Sequence, residues 1–163
     1  MDVYIEVSKN SKVKYEYDKD KGMLIVDRIL HNTNVFPYNY GFVPNTLSQD
    51  GDPLDVIVLC DCELVPGCVA KCKILGGIDV SDEEGQDDKI ICVLDDKLDP
   101  KSKKLQEVMD INEQELENVL YFLRRYKDGE NGKYINVGEV YNRERAMEIV
   151  EESYNNYDNF NKN

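Results

Sequence analysis

The sequence predicts an α+β fold in which helices pack against a small closed β-barrel. Strand-like segments, some alternating with a two-residue period and others continuously apolar, occupy the chain up to residue 94, whereas the helical period is first found after residue 112. This order, strands first and helices later, is typical of α+β domains. The length of 163 residues suits one domain with a core of its own, and neither an internal repeat nor a linker divides it. We therefore predict a single domain spanning residues 1–163.

Six segments of the chain predict strands. Residues 2–7 (DVYIEV) and 12–17 (KVKYEY) alternate between apolar and polar side chains, as half-buried strands do. Residues 23–30 (MLIVDRIL) are more continuously apolar, which predicts a more fully buried strand in spite of Asp27 and Arg28. Residues 31–47 are rich in Asn and Pro and predict a loop. Three mainly apolar segments complete the set, at 56–60 (VIVLC), 68–75 (CVAKCKIL) and 89–94 (KIICVL), with a Pro-Gly turn between the first two.

Two helices follow these strands. The first begins after Asn112, a typical N-cap residue with Glu115 three positions on, and its apolar face consists of Leu116, Val119, Leu120, Leu123 and Tyr126. A short strand at 133–140 (KYINVGEV) comes next. The second helix starts near residue 143, and the side chains expected to face inward are Ala146, Ile149, Val150, Tyr154 and Tyr157. The Asn-rich end, residues 155–163, predicts a frayed tail.

The charge of the chain is strongly negative. The sequence holds 33 Asp and Glu against 20 Lys and Arg, a formal net charge of -13. Such a surface repels nucleic-acid phosphates, so we predict no nucleic-acid partner, although metal cations could still bridge an anionic ligand to the carboxylates. The chain shows no leader-like start and no apolar run of about 18 residues, which predicts a cytoplasmic protein without a membrane partner.

The cysteines predict structural thiols. There are five, an odd number that argues against a disulfide framework: Cys60, Cys62, Cys68, Cys72 and Cys92. The first four follow the spacing C-x-C-x5-C-x3-C, which lacks the usual C-x2-C of zinc sites, and the only histidine is His31. Because they lie in apolar, strand-like segments, we predict that they pack as small buried hydrophobes, with a zinc site as the alternative.

Three aspartates crowd the start of an apolar strand. In SQDGDPLDV, residues 48–56, Asp50 and Asp52 would project to one face of an extended chain, and the Gly-x-Pro bend can bring Asp55 into the same pocket. Two bare carboxylates about 4 Å apart repel by about 4 kcal/mol at an effective dielectric of about 20, so three of them need solvation or cations. A solvated Asp-Gly turn is the simpler interpretation of this segment taken alone.

A second acidic segment favours the interpretation with cations. Residues 79–89 (DVSDEEGQDDK) again lie between two strands, and two such loops on a small barrel can converge on one mouth. A set of oxygen ligands favours hard cations such as Mg²⁺, Mn²⁺ or Ca²⁺. The EF-hand pattern fails when it is started from Asp50 or from Asp82, and the chain contains no phosphate loop, dinucleotide fingerprint or G-x-S-x-G motif.

Taken in chain order, these segments resemble those of a known enzyme family. The motifs KYE (14–16), VDR (26–28), FPYNYGFVPNT (36–46) and DGDPLDV (50–56) are similar to motifs of the family I soluble inorganic pyrophosphatases. The last of them fits the family pattern D-x-D-P-x-D-V at each fixed position. DEEGQDDK (82–89) resembles the second acidic loop of the family, and YKDGENGK (126–133) resembles its Tyr-Lys element. The matches run collinearly from Glu6 to about Lys133.

The resemblance implies a fold, a reaction and a set of site residues. The fold is a five-stranded β-barrel of OB type with two helices, and the reaction is the hydrolysis of pyrophosphate to two phosphates with several Mg²⁺ ions, for which Mn²⁺ or other divalent cations can substitute. By matching position, Asp52 is the catalytic carboxylate beside the attacking water, and the metal ligands are Asp50, Asp55, Asp82, Asp87 and Glu16. The implied substrate contacts are Lys14, Arg28, Tyr40, Lys89, Tyr126 and Lys127. The surrounding shell contains Glu6, Asn39 and Glu83.

The charges of these side chains agree with the implied roles. Pyrophosphate is a polyanion that cannot approach bare carboxylates unless cations lie between them, and Lys and Arg suit the oxygens of the leaving phosphate. Two features depart from the family pattern. Phe36 stands where the family often has Tyr, so one hydrogen bond near the phosphate is in question. The chain also starts almost at its first barrel strand, which bears on subunit packing, although family members of this size are typically hexamers and the resemblance implies a homo-oligomer.

Three other functions remain as alternatives. A non-catalytic barrel that binds nucleic acid is disfavoured by the net charge. A Ca²⁺-binding structural protein would leave Lys14, Arg28 and Lys127 without a role. A nucleotide or a longer polyphosphate could replace pyrophosphate as the substrate, but no segment of the sequence identifies a base-binding pocket.

Overall fold

The elements follow the expected order, with strands before helices. The structure is a computed structural model and describes residues 1–162. Its strands are β1 (Asp2–Val7), β2 (Val13–Asp18), β3 (Met23–Ile29), β4 (Asn39–Phe42), β5 (Asp55–Leu59), β6 (Val69–Asp82), β7 (Gly85–Gln86), β8 (Lys89–Leu94) and β9 (Ile135–Asn142). The α-helices are α1 (Glu113–Arg125) and α2 (Arg143–Asn161). Two 3₁₀-helices, Pro100–Lys104 and Val108–Asp110, lie between β8 and α1.

Five of the strands close into a ring. Going around it, β1 pairs with β4, β4 with β5, β5 with β8, β8 with β6, and β6 again with β1. All of these pairs are antiparallel except the parallel pair of β5 and β8. The long strand β6 continues beyond the ring and also pairs with β7 and β9. The ring is less regular than an ideal barrel, but it confirms the predicted α+β fold with a five-stranded barrel of OB type.

Both faces of the central strands are buried, which explains their continuous apolar sequences. On β5, Val56 and Val58 belong to an apolar cluster that includes Ala146 and Val150 of α2. Ile57 on the opposite face belongs to a second cluster, to which α1 contributes several side chains. Each helix therefore covers a different apolar cluster of the barrel, and β5 is held between the two.

The hairpin of β2 and β3 does not have the predicted burial. Residues 23–30 were predicted to form a more fully buried strand than the first two, but β3 pairs with β2 in a separate two-stranded sheet. Met23 and Val26 are 56% and 61% exposed, and Ile29 is 56% exposed. The prediction was wrong because an apolar run reports side-chain type and not the presence of a covering element. This hairpin places Lys14, Glu16 and Arg28 near one another outside the ring.

Strand β4 lies where the sequence analysis expected a loop. It has only four residues, NYGF, and the neighbouring Asn and Pro residues conceal it. Its pairing with β1 requires a glycine, because a Cβ atom at Gly41 would overlap the carbonyl oxygen of Tyr4. A long-range contact of this kind is not visible in local sequence periodicity.

The first helix agrees with the prediction and the second differs from it in detail. The side chain of Asn112 caps α1 by accepting hydrogen bonds from the N–H groups of Gln114 and Glu115. Helix α2 extends to Asn161, so the expected frayed tail is helical over 155–161, while residue 163 lies outside the described residues. Asn156 on this part of α2 donates to the carbonyl oxygen of Leu47 over 3.3 Å. Neither helix, nor any other within residues 1–162, combines the length and apolar character needed to cross a membrane.

The cysteines follow the prediction only in part. All five are free thiols; Cys72 and Cys92 are buried, Cys60 and Cys68 are half-buried, and Cys62 is exposed. Burial raises the pKa of Cys72 to about 12, so this thiol stays protonated at neutral pH. The two buried thiols therefore pack as small hydrophobes, as expected, whereas Cys62 does not.

Candidate active site

A cavity of about 570 Å³ opens between the β2–β3 hairpin, the two acidic segments and the loop after α1. Eleven carboxylates and six Lys or Arg side chains line it. It contains fourteen of the fifteen side chains named from the sequence: Glu6, Lys14, Glu16, Arg28, Tyr40, Asp50, Asp52, Asp55, Asp82, Glu83, Asp87, Lys89, Tyr126 and Lys127. Asn39, the exception, does not line the cavity. The fold thus brings residues from seven separate segments into one highly charged pocket.

A tight turn presents the first three aspartates to the cavity. The Ser48 N–H donates to the carbonyl oxygen of Asp52 over 2.7 Å, and the Asp52 N–H donates to Asp50 Oδ1 over 3.0 Å. Gly51 adopts a φ of +89°, a conformation that favours glycine, and Asp55 is the first residue of β5. The turn reverses the chain between Asp50 and Asp55, so all three carboxylates line the same cavity. The sequence predicted this convergence correctly.

At the bottom of the cavity, a buried lysine is shared by two carboxylates. Lys89 Nζ lies 2.5 Å from Asp55 Oδ2 and 2.7 Å from Asp87 Oδ2, and its side chain is 2% exposed. Burial, together with the charge of Asp55, raises the pKa of Asp87 to about 7 although Lys89 acts in the opposite direction. For Asp55, burial acts against ionisation, but the charge and hydrogen bond of Lys89 and a hydrogen bond from Tyr40 hold the pKa below its usual value. The ammonium group therefore compensates charge that would otherwise be uncompensated in the interior.

The second acidic segment is paired with the loop after α1. Lys127 Nζ lies 2.9 Å from Asp82 Oδ2 and 3.5 Å from Glu83 Oε2. Burial tends to raise the pKa of Asp82, but the hydrogen bond from Lys127 keeps it below the usual value. Lys133 Nζ also approaches Glu83, over 3.5 Å. These contacts place Lys127 beside the carboxylates of the second acidic segment, and Tyr126 lines the same cavity; their predicted role as substrate contacts stays a prediction.

The hairpin contributes a chain of alternating charges. Lys14 Nζ lies 3.4 Å from Asp27 Oδ2, and Arg28 Nε donates to the same oxygen over 2.8 Å. Arg28 Nη1 donates to both carboxylate oxygens of Glu130, over 2.9 Å and 2.8 Å. Burial raises the pKa of Glu16, which is also on this hairpin. The sequence analysis did not single out Asp27 or Glu130; both stood inside the quoted motifs, but only the fold shows that they contact Arg28.

Glu6 and Asn39 hold backbone groups near the cavity. Glu6 is 7% exposed and accepts a hydrogen bond from the Tyr17 N–H over 2.7 Å, which ties β1 to the hairpin. Burial raises the pKa of Glu6 to about 8. Asn39 is fully buried, and its Oδ1 accepts from the N–H groups of Lys9 and Leu64. Asn39 therefore supports the strand that carries Tyr40 and does not face the cavity.

Aromatic side chains form one wall of the site. Phe36 is buried, with its ring centroid 4.7 Å from that of Phe122 and 6.0 Å from that of Tyr40. Lys89 Nζ lies 5.5 Å from the ring centroid of Tyr40, and burial raises the pKa of the Tyr40 phenol well above its usual value. Tyr40 therefore stays protonated and can donate a hydrogen bond. A tyrosine hydroxyl at position 36 would enter this wall beside a small cavity of about 10 Å³.

The donor set suits hard divalent cations. The carboxylates of Asp50, Asp55 and Asp87 are oxygen ligands around one cavity, and burial raises the pKa values of Asp50 and Asp87, as expected for negative charge that lacks full compensation. Within residues 1–162, no three acidic, cysteine or histidine side chains are already arranged around a common metal position. Two of the candidate ligands are bonded to Lys89 instead. The residues present therefore fit a cation chemically, provided that this lysine moves.

Comparison with known proteins agrees with this geometry. Residues 3–158 match the family described as inorganic pyrophosphatase. The inorganic pyrophosphatase of Helicobacter pylori is 41% identical over 155 residues, which cover 95% of this chain and 90% of the relative. That of Nanoarchaeum equitans is 44% identical over 159 residues and covers 96% and 98%. A solved structure of an inorganic pyrophosphatase from Helicobacter pylori superposes with a TM-score of 0.95 at 40% identity, covering 97% of this chain and 93% of the other. The chain therefore belongs to the inorganic pyrophosphatase family.

Proposed function

We propose that this protein hydrolyses inorganic pyrophosphate to two orthophosphates with the help of several divalent cations, Mg²⁺ foremost. The observation that supports this most strongly is the composition of the cavity, where eleven carboxylates face six Lys and Arg side chains. A bare polyanion would be repelled by this surplus of negative charge, whereas a polyanion that arrives with cations satisfies both kinds of side chain. Family membership supports the same substrate, because the relatives are named inorganic pyrophosphatases.

In this proposal, the cations are held by carboxylates from both acidic segments. The ligands are Asp50, Asp55 and Asp87, with Asp82 and Glu16 serving further ions. When bound, such cations acidify a water molecule and neutralise phosphate oxygens. Mn²⁺ or another hard divalent cation can replace Mg²⁺, because the ligands are oxygen atoms only.

The side chains of the cavity hold the substrate and the proton. Asp52 accepts the proton of the attacking water; its side chain lies in an exposed part of the lining, close to solvent that can carry the proton away. Arg28 and Lys127 contact the phosphate oxygens, Arg28 through the part of its guanidinium group that is not bonded to Asp27 or Glu130, and Lys127 as a point charge. Lys14 and the buried Lys89 add further positive charge to the site, and the hydroxyl groups of Tyr40 and Tyr126 donate hydrogen bonds without adding charge. Catalysis then rests on positioning and electrostatic stabilisation, with no covalent intermediate.

Glu6 and Glu83 lie around this first set of contacts. Glu6 fixes the hairpin through the Tyr17 N–H, and Glu83 helps to place Lys127 and Lys133. Asn39 fixes β4 from behind. These three residues keep the substrate contacts in register.

The test is the release of phosphate from pyrophosphate with Mg²⁺, with and without EDTA, beside ATP and a phosphomonoester. We expect rapid release from pyrophosphate and none after EDTA is added. No phosphate release with Mg²⁺, Mn²⁺ or Co²⁺ in a folded sample would refute the proposed reaction. Faster release from ATP than from pyrophosphate would instead favour a nucleotide as the substrate.

Two predictions from the sequence remain part of the proposal. The resemblance implies a homo-oligomer, with a hexamer as the expected assembly, and sedimentation of the purified protein tests it. A location in the cytoplasm is also expected, and cell fractionation tests that prediction.

A further inference from the structure

Arg28 is held by two carboxylates, Asp27 and Glu130, to which the proposed reaction assigns no role. Its Nε donates to Asp27 Oδ2 over 2.8 Å, and its Nη1 donates to both oxygens of Glu130, over 2.9 Å and 2.8 Å. The side chains of Arg28 and Glu130 are 19% and 12% exposed, so water has limited access to the pair. Charge-assisted hydrogen bonds of this length fix the plane of a guanidinium group as well as its position.

Glu130 contacts Arg28 without lining the cavity itself. Arg28 and Asp27 belong to the lining, whereas Glu130 does not. Glu130 belongs to the loop after α1 and is 102 positions away from Arg28 in the sequence. A ligand in the cavity therefore contacts Arg28 but not Glu130, and Glu130 can act on the ligand only through Arg28.

The loop that carries Glu130 is held by contacts of the residues just before it. The Glu130 N–H donates to the carbonyl oxygen of Lys127 over 3.1 Å, and the Lys127 ammonium group is bonded to Asp82 over 2.9 Å. The side chain of Asn32, just beyond β3, donates to the carbonyl oxygen of Arg125 over 3.1 Å. Because β2 and β3 form a sheet of their own, these side-chain contacts tie the hairpin to the rest of the site.

The cavity offers Arg28 competing partners. Eleven carboxylates line it, among them Glu16 on the strand next to β3. Without the bond to Glu130, the long side chain of Arg28 would turn toward these carboxylates. It could then no longer contact the substrate, and it would occupy carboxylates that the cations need. The bond to Glu130 opposes this movement, because it holds Nη1 on a carboxylate that does not line the cavity.

We propose that Glu130 is a positioning residue that holds Arg28 in the orientation in which it meets a phosphate group, and this inference rests on the proposed function. A simple charge argument predicts the opposite effect of removing it. With one negative charge removed from beside the cavity, a polyanion should bind more strongly. The sign of the effect on phosphate binding therefore separates positioning from general electrostatics.

The experiment compares Glu130→Gln with wild type. Calorimetry in Mg²⁺ measures the binding of imidodiphosphate, a pyrophosphate analogue with a P–N–P bridge, and steady-state kinetics measure KM and kcat on pyrophosphate. We expect analogue binding about tenfold weaker and KM about tenfold higher, with a smaller change in kcat, because one charge-assisted contact to the ligand loses its geometry. Glu117→Gln, on the exposed face of α1, makes the same change of charge and should leave all three values unchanged.

A double-mutant cycle tests whether Glu130 acts through Arg28. Arg28→Met alone should weaken binding, and adding Glu130→Gln to it should have no further effect. Glu130→Asp, which keeps the charge on a shorter side chain, should recover part of the binding and serves if the Gln variant does not fold. Tighter analogue binding by Glu130→Gln, or an equal further loss in the Arg28→Met background, would overturn the inference.

If wild type binds the analogue but releases no phosphate from pyrophosphate, the proposed reaction fails while the cycle still decides the role of Glu130. If wild type does not bind the analogue, both fail.

Discussion

Replacing Lys89 with Met removes a buried ammonium group that two carboxylates share. Its Nζ lies 2.5 Å from Asp55 Oδ2 and 2.7 Å from Asp87 Oδ2, so these two oxygens are at most 5.2 Å apart, the sum of the two distances. At an effective dielectric of about 20, unit charges at that separation repel by about 3 kcal/mol once the cation has gone. Breaking a buried ion pair from one side costs about 3–5 kcal/mol, which is similar. We therefore expect the metal-free variant to lose about 3–5 kcal/mol of unfolding free energy at pH 8.

Calorimetric melting in EDTA measures this loss. For a chain of this length, about 1 kcal/mol shifts Tm by about 2–4 °C, so Tm should fall by about 10 °C. Mg²⁺ should then raise the Tm of the variant more than that of wild type, because bound cations replace the missing charge. Lys101→Met is the matched control: Lys101 Nζ lies 2.6 Å from Asp61 Oδ2, but the two side chains are 77% and 72% exposed. Because water already screens this exposed pair, Lys101→Met should leave Tm close to that of wild type.

The pH dependence gives an independent check of the same argument. Without Lys89, the pKa of Asp87 should rise above its present value of about 7, so that at pH 5 the carboxyl group is protonated and most of the repulsion is gone. The difference in Tm between variant and wild type should therefore shrink from pH 8 to pH 5. A metal-free variant as stable as wild type at pH 8, with an unchanged response to Mg²⁺, would refute the role of Lys89 as an internal counter-ion.

Three further predictions follow from the same contacts. Asp87→Asn should lower phosphate release from pyrophosphate by about a hundredfold or more, while its Tm in EDTA stays near wild type because Asp55 still pairs with Lys89; an unfolded variant would indicate a structural role. Burial raises the pKa of Glu6 from 4.5 to about 8, so the native state keeps a proton that the unfolded chain releases, and metal-free stability should fall as pH rises across that window. Urea unfolding of Glu6→Gln should show a weaker fall, and an unchanged slope would contradict this assignment. Gly41→Ala should lose about 3 kcal/mol or more in urea unfolding, because its Cβ would overlap a carbonyl oxygen of β1; wild-type stability would contradict the β1–β4 pairing.

The residues of the candidate site could largely be named from the sequence, because its motifs resemble those of a known family in the same order along the chain. Asp50, Asp52 and Asp55 stand around a Gly and a Pro at the start of an apolar run, and the fold places all three in one cavity. The N-cap at Asn112 was also visible, since a cap is a local interaction between neighbouring residues. The strands β1, β5 and β8 were equally clear from their composition.

The tertiary structure alone decided which apolar strands are covered and which charges meet. The apolar run of β3 looked like a core strand, but no other element covers Val26, which is 61% exposed. Lys89 reaches Asp55 across 34 positions of sequence, and Glu130 reaches Arg28 across 102. Local periodicity depends on the geometry of a few consecutive residues, and it therefore identified the strands, the turn and the acidic segments. Pairings between distant residues depend on how those elements pack. They set the pKa values of the buried carboxylates and the orientation of the Lys and Arg side chains in the site.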